Sequence, residues 1–263
     1  MRSLLTAATI SLAFTLFLTP LFIRLFEKLG WGQVIRTPEN AHNPNHHAKR
    51  GTPTMGGVIF ILGSIVGYLV GTLTGGAPPS ISGILVIWMM VGLGAVGFID
   101  DYMKVRQQRS LGLSGWRKVV GQILVAVPFG IVALNFPNRV GQTPASPFIS
   151  FFRDIPMLSF LALGTVIGWI AYLVWISFLS VAWSNATNLT DGLDGLATGA
   201  GIFTVSAYSL VTFWQFQQRC TSEALVTAYQ AACYDTADPM DLAIVVASFV
   251  GALVGFLWWS APK

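Results

Sequence analysis

Seven long apolar runs constrain this chain more than any other feature. A helix needs roughly 20 mostly apolar residues to cross a bilayer, and seven segments meet that requirement: residues 3–26, 55–74, 82–99, 119–136, 155–182, 196–214 and 242–259. No Lys, Asp or Glu lies in the middle of any of them. Strands of a membrane barrel are about 9–11 residues long and alternate in polarity, and these runs do neither. The sequence therefore predicts an all-α, polytopic membrane bundle of about seven helices.

The composition excludes two broad classes of protein. Hydrophobic residues make up 54% of the 263 residues and charged residues 10%, whereas soluble domains carry about 25% charged residues. A disordered chain and an ordinary soluble enzyme are both excluded. The first run continues through Pro20 with no small-residue cleavage site after it, so we interpret it as a retained helix rather than a signal peptide. Residues 1–263 are expected to form a single membrane domain.

The distribution of basic residues predicts the orientation of the chain. Loops at one end of the predicted bundle contain eleven Lys and Arg residues and those at the other end contain four. Because Lys and Arg are enriched in cytoplasmic loops, the N-terminus is expected outside and three polar loops in the cytoplasm. The positive charge is thus topological, and without a basic stripe interleaved with aromatic residues it does not indicate nucleic-acid binding.

The two cysteines, Cys220 and Cys233, both fall in one predicted outer loop, at residues 215–241. That compartment permits disulfides, so we expect the two residues to be able to pair.

The first inner loop ends in a basic, glycine-rich segment, residues 49–57. Lys49 supplies positive charge, Thr54 supplies a hydroxyl, and the glycines let the backbone approach another group. This composition suits a phosphate-bearing ligand. The alternative is a basic loop that only fixes topology.

The second inner loop begins with two adjacent carboxylates, Asp100 and Asp101, at the end of a span. Partly desolvated carboxylates repel one another unless a cation relieves them. Lys104 lies four and three residues further on and reaches both if the helix continues, and Lys118 enters the next span. One carboxylate could serve a metal and the other a substrate proton, or the pair could simply cap the helix end and form an ion pair with Lys104.

The third inner loop carries four polar residues at intervals of three: Asn185, Asn188, Asp191 and Asp194. On a helix, neighbours in such a series share a face. A glycine follows each aspartate, and a polar, glycine-interrupted segment between two spans is expected to line a ligand cavity. Together the loops suit phosphoryl transfer, in which a protein positions groups and neutralises charge, usually with Mg²⁺. A site at the bilayer surface indicates a lipid reactant.

These motifs resemble those of the polyprenyl-phosphate N-acetylhexosamine-1-phosphate transferases. The residues concerned are Asp-Asp-Tyr-x-Lys at 100–104 and Asn-Leu-Thr-Asp-Gly-Leu-Asp-Gly-Leu at 188–196. The Thr-Pro-Thr-Met-Gly-Gly run at 52–57 points to the phospho-N-acetylmuramoyl-pentapeptide-transferase branch. The order and spacing of the spans agree over nearly the whole chain.

The resemblance implies a reaction on the inner face of the bacterial plasma membrane, in peptidoglycan synthesis. Undecaprenyl phosphate attacks UDP-N-acetylmuramoyl-pentapeptide, UMP leaves and lipid I forms, with Mg²⁺ as cofactor and a homodimer as the usual assembly. Asp100 and Asp101 take the positions of the catalytic and metal-binding pair. The positions of the substrate contacts are taken by Lys49, Thr54, Lys104, Lys118, Asn185, Asn188, Asp191 and Asp194.

The resemblance also implies a difference, because the family has about ten spans and a further metal-binding aspartate beyond the seventh. We therefore expect this chain to be a truncated form that carries most of an active site. Three other interpretations stay open at this point. The chain could transfer N-acetylglucosamine-1-phosphate to the same lipid, it could be an inactive fragment of such an enzyme, or it could be a transporter. A transporter is disfavoured because no ionisable residue lies in the middle of a span.

Overall fold

The computed structural model describes residues 1–31, 55–107, 112–150, 154–190, 195–220, 233 and 236–260. Within them the chain forms seven long helices, which are α1 (Arg2–Lys28), α2 (Gly57–Gly75), α3 (Ile81–Gln107), α4 (Gly115–Asn135), α5 (Thr165–Thr190), α6 (Leu196–Gln217) and α7 (Pro239–Ser260). All seven are long and apolar enough to cross a membrane. The predicted helical, multi-pass membrane architecture is confirmed.

Two helices extend past the apolar runs that predict them. Helix α3 continues from the end of its run at residue 99 to Gln107, and α5 continues past residue 182 to Thr190. As a result, the paired aspartates and the first two asparagines of the polar series lie on regular helix rather than in loops.

The fifth span begins later than the sequence predicts. Strand β1 (Phe148–Ser150) pairs antiparallel with β2 (Asp154–Ser159), and a short 3-10 helix, Phe160–Leu163, leads into α5. The Ser159 hydroxyl accepts a hydrogen bond from the Leu161 amide at 3.2 Å and caps that short helix. A prediction that the helix starts at residue 155 is therefore wrong, because a short apolar stretch does not by itself distinguish strand from helix.

Small residues let α1 lie close to α2 and α7. All the buried residues of α1 except Phe26 are small and spaced four apart, namely Ser3, Ala7, Ser11, Thr15 and Thr19. Facing them are glycines of α2; a Cβ at Gly67 would lie 2.6 Å from the Ala7 carbonyl oxygen, and one at Gly71 would lie 2.9 Å from that of Ser3. In lipid, where apolar burial gives no drive for helix association, such close backbone approach is what packs helices together.

The helices run alternately up and down, which brings loops that are far apart in sequence to the same end. At the end where α2 and α4 finish, the Asp241 carboxylate of α7 accepts hydrogen bonds from the Tyr68 hydroxyl (2.8 Å), the Ser80 amide (2.9 Å) and the Ser80 hydroxyl (2.6 Å). Asp238 accepts from Ser82 (2.8 Å) and Asn138 (3.1 Å). We call this the Asp241 end, and the opposite one, where α3 finishes, the Asp100 end.

The expected pairing of the two cysteines is confirmed. Cys220 follows α6, Cys233 precedes α7, and a disulfide joins them. The bond lies at the Asp241 end, in the segment that the basic-residue count assigns to the outside.

Candidate active site

The paired carboxylates lie on the last two turns of α3, where the helix leaves the apolar part of the bundle. Consecutive residues on a helix point about 100° apart, so the two side chains have different environments. The Asp100 side chain is buried, with 9% of its surface exposed, whereas the Asp101 side chain is 38% exposed. The adjacent pair is therefore an inner and an outer carboxylate.

Lys104 bridges the two. Its Nζ atom lies 2.7 Å from Asp100 Oδ2 and 2.8 Å from Asp101 Oδ1, as the four- and three-residue spacings predict. The ammonium group thus relieves the repulsion between the carboxylates. The sequence leaves open a catalytic role for the pair and a structural one, in which the carboxylates form an ion pair with Lys104. The structure contains that ion pair.

The other oxygen of Asp100 is held by the loop that leads into α4. Asp100 Oδ1 accepts a hydrogen bond from the Leu113 amide at 2.8 Å. A Cβ at the preceding residue, Gly112, would lie 2.7 Å from the Asp100 carbonyl oxygen and 2.9 Å from its Cγ. Both oxygens of Asp100 are therefore engaged, while in the described part of the chain Asp101 Oδ2 has no hydrogen-bond or ion-pair partner.

An amide chain joins α4 to α5 at the same end of the bundle. The Gln122 side chain is fully buried in α4. Its Nε2 donates to the Ser184 hydroxyl at 3.0 Å, and its Oε1 accepts from Asn185 Nδ2 at 3.0 Å. Asn185 Nδ2 also donates to the Val181 carbonyl at 2.8 Å. Sequence reasoning missed Gln122, although a lone amide within an otherwise apolar span was a usable signal.

Two further residues that the sequence predicts to contact substrate lie about one helical turn from this amide chain. Lys118 is half-buried in the first turn of α4, four residues before Gln122, and Asn188 is exposed on α5, three residues after Asn185. Helix α4 packs against both α3 and α5. It therefore lies between the carboxylate pair and the asparagines.

The remaining predicted site residues, Lys49, Thr54, Asp191 and Asp194, lie outside the described residues. Among the residues that are described, no group of three or more His, Cys, Asp or Glu side chains could hold a metal ion.

An aromatic cluster supports the end of α3. Trp31, just after α1, has its ring centre 5.5 Å from that of Phe26, 6.0 Å from Phe98 and 5.9 Å from Tyr102. Phe98 and Tyr102 lie on either side of the carboxylate pair in sequence. Because aromatic contacts of this kind stabilise packing, they fix the part of α3 that carries Asp100 and Asp101.

Comparisons with known proteins identify the family of this chain. The family described as "Glycosyl transferase family 4" matches residues 83–263, and "Phospho-N-acetylmuramoyl-pentapeptide-transferase signature 1" matches residues 49–61. The match over more than half of the chain and the seven membrane-length helices of the described residues thus identify a membrane-embedded transferase of the first of these families.

Curated relatives narrow the assignment. This chain is similar to proteins named phospho-N-acetylmuramoyl-pentapeptide-transferase. Its sequence is 53% identical to the one from Clavibacter michiganensis, 47% to that from Beutenbergia cavernae and 44% to that from Streptomyces avermitilis. Each match covers 99% of this chain and 70–71% of the relative. The chain belongs to the phospho-N-acetylmuramoyl-pentapeptide-transferase family.

Proposed function

We propose that this chain transfers phospho-N-acetylmuramoyl-pentapeptide from its UDP-linked donor to undecaprenyl phosphate, releasing UMP and forming lipid I. The proposal places the reaction on the cytoplasmic face of a bacterial plasma membrane and includes a homodimer. The observation that carries it is the Asp100–Lys104–Asp101 cluster, which lies at the end of a membrane helix in a chain that belongs to this family.

The geometry supports different roles for the two carboxylates. Asp100 is buried and held at both oxygens, so its role in the proposal is to position Lys104 and the loop before α4. Asp101 is partly exposed and has a free oxygen among the described residues. It is the group we assign to the reacting phosphates, where it accepts a proton from the attacking lipid phosphate or binds a cation.

The donor set of the site fits Mg²⁺. Mg²⁺ is usually bound by one or two carboxylates together with substrate phosphates and water, and a partly exposed Asp101 supplies one such oxygen. When bound, Mg²⁺ would neutralise negative charge on the diphosphate. Lys104 and Lys118 would add positive charge on the same face. Our proposal keeps Lys49, Thr54, Asn185, Asn188, Asp191 and Asp194 as substrate contacts.

The proposal is tested with purified chain in detergent, undecaprenyl phosphate and Mg²⁺. We expect UMP release and a lipid-linked product with UDP-N-acetylmuramoyl-pentapeptide, and loss of both with EDTA. A parallel reaction with UDP-N-acetylglucosamine tests the alternative donor. Failure of the muramoyl-pentapeptide donor, with correctly folded protein, contradicts the proposal.

A further inference from the structure

We propose that Gln122 is a positioning residue that presents Asn185 to the substrate as a pure hydrogen-bond acceptor. The inference rests on the proposed function and deepens it, because it assigns a chemical preference to one part of the site. It starts from the amide chain that joins α4 to α5.

The Val181 carbonyl fixes the orientation of the whole chain. A peptide carbonyl oxygen can only accept, so the Asn185 atom that lies 2.8 Å from it must be the nitrogen. The same nitrogen lies 3.0 Å from Gln122, so the atom that faces it there must be the acceptor, Oε1. Gln122 Nε2 is then directed at the Ser184 hydroxyl, 3.0 Å away, which can accept. No other assignment satisfies all three contacts.

Both hydrogens of the Asn185 side-chain NH₂ group take part in hydrogen bonds in this arrangement. An amide nitrogen has two donors, and these go to Val181 and Gln122. Only Oδ1 is left, and it accepts no hydrogen bond from the described part of the chain. Asn185 is half-buried, so this oxygen is the polar feature that the residue can offer to a ligand.

An oxygen that can only accept a hydrogen bond restricts which substrate groups can bind to it. It pairs with a hydroxyl or N–H group of the substrate and disfavours a phosphate oxygen, which is itself an acceptor. We therefore assign Asn185 to a donor-bearing part of the UDP-linked substrate, and the charged diphosphate to the lysines and Asp101.

The burial of Gln122 supports a positioning role. A buried amide costs free energy unless it is hydrogen-bonded, and an apolar side chain would pack in a membrane helix without that requirement. Gln122 is fully buried, and its side-chain nitrogen and oxygen bond to the adjacent residues Ser184 and Asn185. Its removal would leave one N–H of Asn185 without its acceptor, so Asn185 would offer the substrate a donor as well as an acceptor and would be held by the Val181 carbonyl alone.

The first test needs no substrate. In chain with ¹⁵N-labelled asparagine, the Asn185 side-chain amide is identified by its loss in Asn185→Ala, and its hydrogen exchange with water is measured by NMR. We expect slow exchange in the unaltered chain and in the control Gln217→Leu, which makes the same change at an exposed position of α6. We expect fast exchange in Gln122→Leu. Equal exchange in all three overturns the inference.

The second test is a double-mutant cycle on the Michaelis constant for the UDP-linked donor. We expect Gln122→Leu and Asn185→Ala each to raise KM about 10-fold with kcat changed less than about 3-fold, and the double variant to match Asn185→Ala alone. Additive effects mean that Gln122 does not act through Asn185. A raised Mg²⁺ requirement in Asn185→Ala, instead of a raised KM, also overturns the inference, because the oxygen would then bind metal.

The two tests separate this inference from the proposed function. If the unaltered chain turns over no UDP-sugar, the proposed function fails, and the exchange measurement still decides whether Gln122 holds the Asn185 amide. If the chain is active but the Asn185 amide exchanges freely, the proposed function stands and the positioning role fails.

Discussion

Replacing each carboxylate of the α3 pair by its amide should separate stability from catalysis. Asp100→Asn and Asp101→Asn are the same chemical change at adjacent positions. The structure predicts different results, because one side chain is buried and held at both oxygens, whereas the other is 38% exposed and, among the described residues, bonds only to Lys104.

The expected magnitudes follow from these contacts. In Asp100→Asn, the side-chain oxygen can accept a hydrogen bond from either Lys104 or the Leu113 backbone N–H. The new NH₂ group then faces the other donor, so one charge-assisted hydrogen bond is lost. Such a bond contributes about 1.5–3 kcal/mol, and 1 kcal/mol shifts the unfolding midpoint of a domain of this size by about 2–4 °C. We expect a midpoint about 5 °C lower. Asp101→Asn weakens an exposed ion pair that is worth about 0.2–1 kcal/mol, so its midpoint should shift by less than about 4 °C.

For turnover the order of the two variants should be reversed, with the larger loss in Asp101→Asn. If Asp101 accepts the proton or binds the cation, Asp101→Asn lowers kcat by about 10²-fold or more, the lower range for a positioned acid–base group. Both variants are compared in the same detergent by thermal unfolding and by UMP release, with Asp154→Asn in the exposed strand β2 as the matched control.

Two outcomes would refute this reasoning. Near-normal turnover of Asp101→Asn would assign that carboxylate to the ion pair alone. An equal loss of stability in the two variants would mean that burial and the Leu113 bond do not distinguish Asp100 from its neighbour.

Three further predictions concern the fold. Gly67→Ala should lower the unfolding midpoint, because its Cβ would lie 2.6 Å from a carbonyl oxygen of α1 and overpacking costs about 1–3 kcal/mol; Gly97→Ala, with open space around it, should not. Asp241→Ala should destabilise the chain by at least about 2 kcal/mol, measured by denaturant or thermal unfolding, because three donors lose their acceptor. Maleimide should label neither Cys220 nor Cys233 in denatured chain before reduction and both afterwards; equal labelling would contradict the disulfide.

The sequence alone determined the architecture and the family. Span length and the absence of mid-span charge predict seven membrane helices because the bilayer admits few other solutions, and the local motifs at 49–57, 100–104 and 188–196 carry the resemblance. The reach of Lys104 to both aspartates also follows from helical spacing alone. These features depend on local periodicity, which a sequence displays directly.

Tertiary structure decided which of two adjacent aspartates is buried, because that depends on Gly112 and Leu113 approaching Asp100 from beyond the end of α3. It also decided that the apolar stretch from residue 155 pairs as a strand, since its partner lies in β1. The bonds of Gln122 join residues 62 and 63 positions apart. Contacts of this kind depend on how α4 packs against α5, and no periodicity in a single sequence reports them.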